Sequence, residues 1–179
     1  DPHRLIDQAS GWFDQGGGDF RSIHNYFFKL RFRKEERVQA LTEFGGFCWR
    51  CREHSMSGKV YGYRIYGSRR ELSAGYGRLM REVASHIGEG LSVTVYTQLS
   101  DVEEEVNGIY TYDREVLKIE EEVLAEWNEK CRILHSWDQG KYRISKDKEY
   151  QSVCAPGKGG GAGDGSGQDA SGADREVPV

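Results

Sequence analysis

The chain has 179 residues, 37% of them hydrophobic and 30% charged, with 25 Lys and Arg set against 29 Asp and Glu for a net charge of −4. That is enough apolar material for one ordinary core, and the acidic balance argues against a nucleic-acid partner held by phosphate contacts. No apolar run reaches the roughly 18 residues a membrane span needs, so no membrane partner is expected.

In chain order, Arg4–Gln8 is a short strand candidate, followed by Ser10, Gly11 and Trp12. Gly16-Gly17-Gly18 forces a flexible connection. Phe20–Tyr26 is a second strand candidate. A basic stretch from Lys29 to Arg37 leads into a third, Val38–Glu43, which stops at Gly45-Gly46. Residues 47–67 read as a long loop rich in aromatics and glycine, of a kind that is often functional.

Ser68 opens a helix, with Glu71 three residues on to complete a capping box. Leu72, Tyr76, Leu79, Met80, Val83, Ala84 and Ile87 share one face at helical spacing, and Gly88 and Gly90 stop it. A fourth strand starts at Leu91. Its Ser92–Tyr96 portion reads as buried, and Gln98–Asp113 as the loop at its carboxyl end. A second amphipathic helix is expected from about Glu115, with Val116, Ile119, Val123, Trp127, Cys131 and Leu134 on one side. From Pro156 to Gly172 the composition turns to Gly, Ser, Asp and Ala and holds eight of the 23 glycines. Such a segment buries too little apolar surface to order itself, so residues 155–179 are expected to be a disordered tail.

Strands alternating with helices point to parallel β/α units. In barrels of such units, ligand sites lie at the carboxyl ends of the strands. Four strands are half of the eight a closed barrel requires. The first methionine is Met56, so the chain reads as a piece of something longer. The cysteines, Cys48, Cys51, Cys131 and Cys154, are too few in too long a chain for a disulfide scaffold and leave the compartment open.

Glu43 is the sharpest candidate for chemistry. It ends an apolar strand and is followed by Phe44-Gly45-Gly46, which would aim its carboxylate out of the strand mouth with backbone close by. An exposed strand-end acid without a task fits the same position. The wording around it is more specific. Leu41-Thr-Glu-Phe-Gly-Gly46 resembles the seventh-strand motif of glycoside hydrolase family 2, which contains β-galactosidases, β-glucuronidases and β-mannosidases. Arg4–Trp12 resembles that family's fifth-strand segment and Gly18–Tyr26 its sixth. Tyr61-Gly-Tyr63, the capped helix, and the stretch from Ser92 to Arg114 resemble the approach to the eighth strand and the end of the barrel.

The resemblance covers roughly residues 1–120 in the family's order. It implies an α/β fold: about strands five to eight of a (β/α)8 TIM barrel over 1–120, then a C-terminal helix and extension over 121–154. It also implies a retaining glycosidase acting on terminal β-linked sugars, with Glu43 as nucleophile and no cofactor. Retaining enzymes place a second carboxyl about 5–5.5 Å from the nucleophile. Tyr26 stands where the family carries a tyrosine near the nucleophile, and a core tyrosine is the plainer alternative. His24 and Asn25 beside it, Trp12 as a stacking platform, and Gln98, Asp101 and Asn107 after the last strand are the expected sugar contacts. The Glu103-Glu104-Glu105 run reads as a solvated or helix-starting cluster.

Two departures limit what is carried over. The family's acid/base is a Glu directly after Asn at the end of the fourth strand. The Asn-Glu pair here, Asn128-Glu129, falls in the second helix, so the partner implied is the missing N-terminal half of the barrel. Loss of the general acid removes on the order of 10²–10⁴-fold in rate. Unpaired outer strands would also invite self-association. Family members acting on glucuronides carry Asn-x-Lys after the eighth strand. Asn107-Gly108-Ile109 stands there instead, which favours a neutral sugar such as galactose. A non-catalytic carbohydrate-binding remnant and one half of a split enzyme remain as alternatives. Cys48-x-x-Cys51 with His54 lacks the second ligand pair of a structural zinc site, so no metal is expected. Gly157-Lys158-Gly159 lacks the phosphate-loop pattern.

Overall fold

The computed structural model describes residues 3–8, 11–33 and 35–138, with side chains to Leu134. The expected tail over 155–179, the end of the 121–154 extension and Cys154 lie outside the described residues. Among the described residues, five strands and two helices run in the order β1 (Phe20–Asn25), β2 (Val38–Gly45), β3 (Phe47–Cys48), β4 (Arg64–Ile65), α1 (Arg69–Ile87), β5 (Leu91–Thr97) and α2 (Glu121–Asp138). A single 3-10 turn, Arg52–His54, lies between β3 and β4. The architecture is mixed α/β, built on a small parallel sheet, and the described strands do not close into a barrel.

The main sheet has the order β1-β2-β5, with both pairings parallel. β2 is central and carries buried residues on both faces, Gln39, Ala40, Leu41, Phe44 and Gly45 among them, as a strand flanked on both sides requires. The register places His24 opposite Glu43 and Gly45 opposite Thr97. Both ladders slip near these residues, between Ile23 and His24 on β1 and between Leu41 and Phe44 on β2. β3 and β4 form a second, two-stranded parallel sheet, pairing Phe47 with Arg64 and Cys48 with Ile65.

Helix α1 supplies the β2-to-β5 crossover. Its start is as expected: Ser68 Oγ accepts the Glu71 N–H at 3.2 Å. The Glu71 carboxylate reaches one residue further back than a standard box and takes the Gly67 N–H at 2.8 Å. Leu72, Tyr76, Met80, Val83, Ala84 and Ile87 are buried against Leu41, Phe44 and Leu91 of the sheet. From α2, Trp127 and Leu134 complete the core. Among the described residues no helix is long and apolar enough to cross a membrane.

Four expectations need correction. Arg4–Gln8 is not a strand. Its ties are isolated ones: the Ile6 carbonyl accepts the Asp19 N–H at 2.8 Å, the Ile6 N–H meets Asp19 Oδ2 at 2.7 Å and Asp7 Oδ2 accepts the Ser22 hydroxyl, while Leu5 and Ile6 stay exposed. With no ladder of partners, the apolar pair has nothing to pack against. Second, 47–67 is not pure loop, since it contains β3, the 3-10 turn and β4. Third, β5 is not buried throughout: beyond Leu91, its Ser92, Thr94 and Val95 are exposed, because the strand is an edge with a neighbour on one side.

The fourth concerns the second helix, which starts at Glu121 rather than Glu115. The backbone groups of 115–120 are already engaged elsewhere. Val116 N–H goes to Thr111 Oγ1, Lys118 N–H to the Ile109 carbonyl at 2.7 Å and Glu120 N–H to Ser73 Oγ at 2.9 Å. The helical ladder therefore begins at the Glu120 carbonyl, which accepts from Val123 and Leu124. Ile119 is buried all the same, so the apolar spacing marked burial without marking helix.

Candidate active site at the strand carboxyl ends

Glu43 sits near the end of β2 with its side chain 44% exposed, an accessible carboxylate on a rigid strand. Tyr26, just past the end of β1, donates its hydroxyl to Glu43 Oε2 at 2.8 Å. The same hydroxyl lies 3.0 Å from Thr97 Oγ1 at the end of β5, so three adjacent strand ends meet at one phenol. Burial pushes the Tyr26 hydroxyl well above the usual phenol range, and donation to Glu43 adds to the rise. It therefore stays protonated at neutral pH and acts as a fixed donor.

His24 lies below this pair, with Nδ1 at 3.3 Å from Glu43 Oε2 and a side chain 6% exposed. The contact is close but misaligned: Nδ1 makes no hydrogen bond. The ring is held from the other side. Its backbone N–H donates to the Gly11 carbonyl at 3.2 Å, and Trp12 packs edge-on at 5.6 Å. Trp12 itself is 55% exposed, so the indole stays largely open to solvent while it packs on His24.

The backbone after Glu43 is shaped by two glycines in the left-handed region, Gly45 at φ 92° and Gly46 at φ 62°. A side chain at Gly45 would collide with the Tyr96 ring, and one at Gly46 with the Tyr63 ring. Gly46 N–H donates to the Thr97 carbonyl at 3.0 Å, closing β2 against β5. Tyr63 stacks on Tyr26 at 4.0 Å between centroids and backs the phenol. Tyr63 is also near both Glu43 and Glu105, whose charges help raise its hydroxyl after burial.

The remaining expected contacts divide. Gln98 is partly accessible, and its amide donates to Asn107 Oδ1 at 2.7 Å and Glu105 Oε2 at 3.1 Å. Asp101 and Asn107 are each 2% exposed. Asp101 is taken up by Lys118 at 2.6 Å and the Gly108 N–H at 2.8 Å, so its carboxylate organises the loop rather than facing solvent. Asn25 accepts the Phe28 N–H at 2.9 Å and shapes the turn after β1. The structure thus brings Glu43, Tyr26, His24 and Trp12 together, keeps Gln98 in the adjoining loop, and turns Asp101, Asn107 and Asn25 to local duties.

Thr97, Tyr63 and Glu105 join this site without having been singled out in the sequence. Tyr63 stood inside a quoted motif and Glu105 inside a charge run, and nothing local marked that Tyr63 would back the Tyr26 phenol or that Glu105 would accept from Gln98. The Thr97–Gln98 peptide is cis. Cys48 is buried with its Sγ against the Tyr61 carbonyl at 3.3 Å. Among the described residues one group has metal-type donors within 4.8 Å of one another, His54, Asp113 and Glu115. The 2.7 Å hydrogen bond between His54 and Asp113 accounts for their closeness. The chain matches no family model, and no curated protein matches it.

Proposed function

We propose that this chain carries the nucleophile half of a retaining β-glycosidase site, in an α/β unit equivalent to about strands five to eight of a (β/α)8 barrel. Arg4–Trp12 stands in the fifth strand's place, with Arg4–Gln8 not paired as a strand. The observation that supports this most is the Tyr26–Glu43 hydrogen bond across adjacent parallel strands, with an exposed tryptophan packed on the neighbouring His24. A nucleophilic carboxylate must be ionised, accessible and fixed in aim, and a protonated phenol at 2.8 Å supplies the fixing. Trp12 offers a flat apolar face for a pyranose ring. β1, β2 and β5 take the places of the sixth, seventh and eighth strands. The open outer edges of β1 and β5 are where the remaining barrel strands would pair.

In this reading Glu43 attacks the anomeric carbon of a terminal β-linked sugar, galactose-like and neutral, and the leaving oxygen is protonated by an acid from the other half of the barrel. The covalent glycosyl ester on Glu43 is then hydrolysed with net retention. A fluorinated β-galactoside with a dinitrophenolate leaving group departs without an acid, so it tests Glu43 directly. Mass spectrometry is expected to find the sugar esterified on Glu43, and Glu43→Gln to take up none. Labelling elsewhere, or none even when strands one to four are supplied as a second polypeptide, overturns the reading. The runner-up is carbohydrate binding without turnover, which fits the lack of an Asn-Glu pair at a strand end. Sugar binding that survives Glu43→Gln, with no ester formed, would favour it.

A further inference from the structure

We propose that the cavity between the turn after β1 and the middle of α1 binds a small ring-bearing anion. The cavity encloses about 390 Å³, within the roughly 300–1,000 Å³ of small-molecule pockets. Its lining draws one cation from each of three elements: Lys29 from the turn, Arg64 from β4 and Arg78 from α1. None of the three has a carboxylate partner among the described residues. Arg64 instead lies over the Phe47 ring at 5.7 Å. The one lining carboxylate, Glu82, has Oε1 committed to the Leu30 N–H at 2.9 Å.

Three like charges around one concavity with a single, engaged acid leave a net positive field, which the walls of a cleft concentrate. An anion entering there relieves the mutual repulsion and accepts charge-assisted hydrogen bonds from two guanidinium groups. The walls specify the rest of the ligand. Phe27 and Phe28 are 64% and 79% exposed at the rim, and Phe47 lines the inside. Exposed aromatic faces beside unpaired cations suit a six-membered ring carrying a phosphate or carboxylate. The Asn25-to-Phe28 hydrogen bond holds the turn that presents Phe27, Phe28 and Lys29 together. The cavity shares Tyr26 and Gly45 with the strand-end site. The cations that define it are not among the residues around Glu43, so loss of anion binding in Arg78→Glu or Lys29→Glu is distinguishable from loss of glycosylation in Glu43→Gln.

Phenyl phosphate, benzoate and neutral benzyl alcohol, titrated by NMR into the full chain at low salt, test it. At least one anion is expected to saturate with a Kd on the order of 1 mM or tighter, with benzyl alcohol at least about tenfold weaker. Tighter phenyl phosphate assigns the group to phosphate, and tighter benzoate to carboxylate. Arg78→Glu and, separately, Lys29→Glu should each weaken binding about tenfold or more. Both residues are exposed, and circular dichroism checks that the fold is kept. Failure of both anions to saturate, equal binding of benzyl alcohol, or unchanged affinity in both folded charge-reversal variants overturns the proposal.

Discussion

Lys118 Nζ meets Asp101 Oδ1 at 2.6 Å with the two side chains 0% and 1% exposed. This buried pair anchors the 98–120 loop: Lys118 also donates to the Val106 carbonyl at 2.8 Å, and Asp101 takes the Gly108 N–H. Burial pushes the Asp101 carboxyl up and the Lys118 amine down, and their pairing opposes both shifts. Removing one partner strands the other. Lys118→Met alone is expected to cost about 3–5 kcal/mol, and the double change Lys118→Met with Asp101→Leu clearly less than the sum of the two singles. Urea unfolding of the four proteins measures it, and strict additivity would refute the coupling.

The tie between the 47–67 and 98–120 segments should depend on pH. His54 Nδ1 and Asp113 Oδ2 lie 2.7 Å apart. The Thr111 hydroxyl first, and then His54, hold the Asp113 carboxyl down at about 2, while Asp113 raises the His54 imidazole above 6.5. The raised His54 contributes stability that is fully present below 6.5 and lost as pH rises through its folded value. The lowered Asp113 contributes stability present above 3.8 and lost as pH falls towards 2. The contribution is therefore greatest between about pH 4 and 6.5. Thermal melts of the parent and His54→Gln should converge as pH is raised from 6 to 9, and a constant gap would show that no such tie exists.

Gly45 is a backbone position where the site requires glycine. It combines φ 92° with a Tyr96 ring where a Cβ would stand. Gly45→Ala should cost about 2–4 kcal/mol, adding displacement of a partly buried ring to the strain of a left-handed alanine. Gly16 has φ 77° with nothing within 4 Å of a Cβ, so Gly16→Ala isolates the strain and should cost about 1 kcal/mol. Equal losses in denaturant melts would remove the steric part of the argument.

Cys48 and Cys51 should react very differently. Burial pushes the Cys48 thiol up to about 11, with nearby Lys118 opposing only part of the rise, and its side chain is closed to solvent. Cys51 is partly exposed. Iodoacetamide at pH 8 on the folded chain should alkylate Cys51 and leave Cys48 untouched until denaturant is added. Peptide mapping that finds Cys48 modified as fast as Cys51 would contradict the buried placement.

Much of the frame was readable because it depends on local signals. The Ser68–Glu71 cap and the spacing from Leu72 to Ile87 located α1, and the apolar run ending at Gly45-Gly46 located β2 and with it Glu43. The Tyr26–Glu43 pairing was also expected, through a resemblance rather than through any local rule. Other features depended on neighbours distant in sequence. Arg4–Gln8 has strand composition, yet it lacks a ladder of partners. Residues 115–120 have helical spacing, yet Thr111, Ile109 and Ser73 claim their N–H groups first. Asp101 and Asn107 look like loop-end polar ligands, and only the arrival of Lys118 and Gln98 turns them inward. Composition, caps and periodicity act over a few residues, so the sequence by itself settled where α1 and the central strand run. Which carboxylate remains open to solvent and which is consumed by a buried ion pair was decided by packing between distant segments.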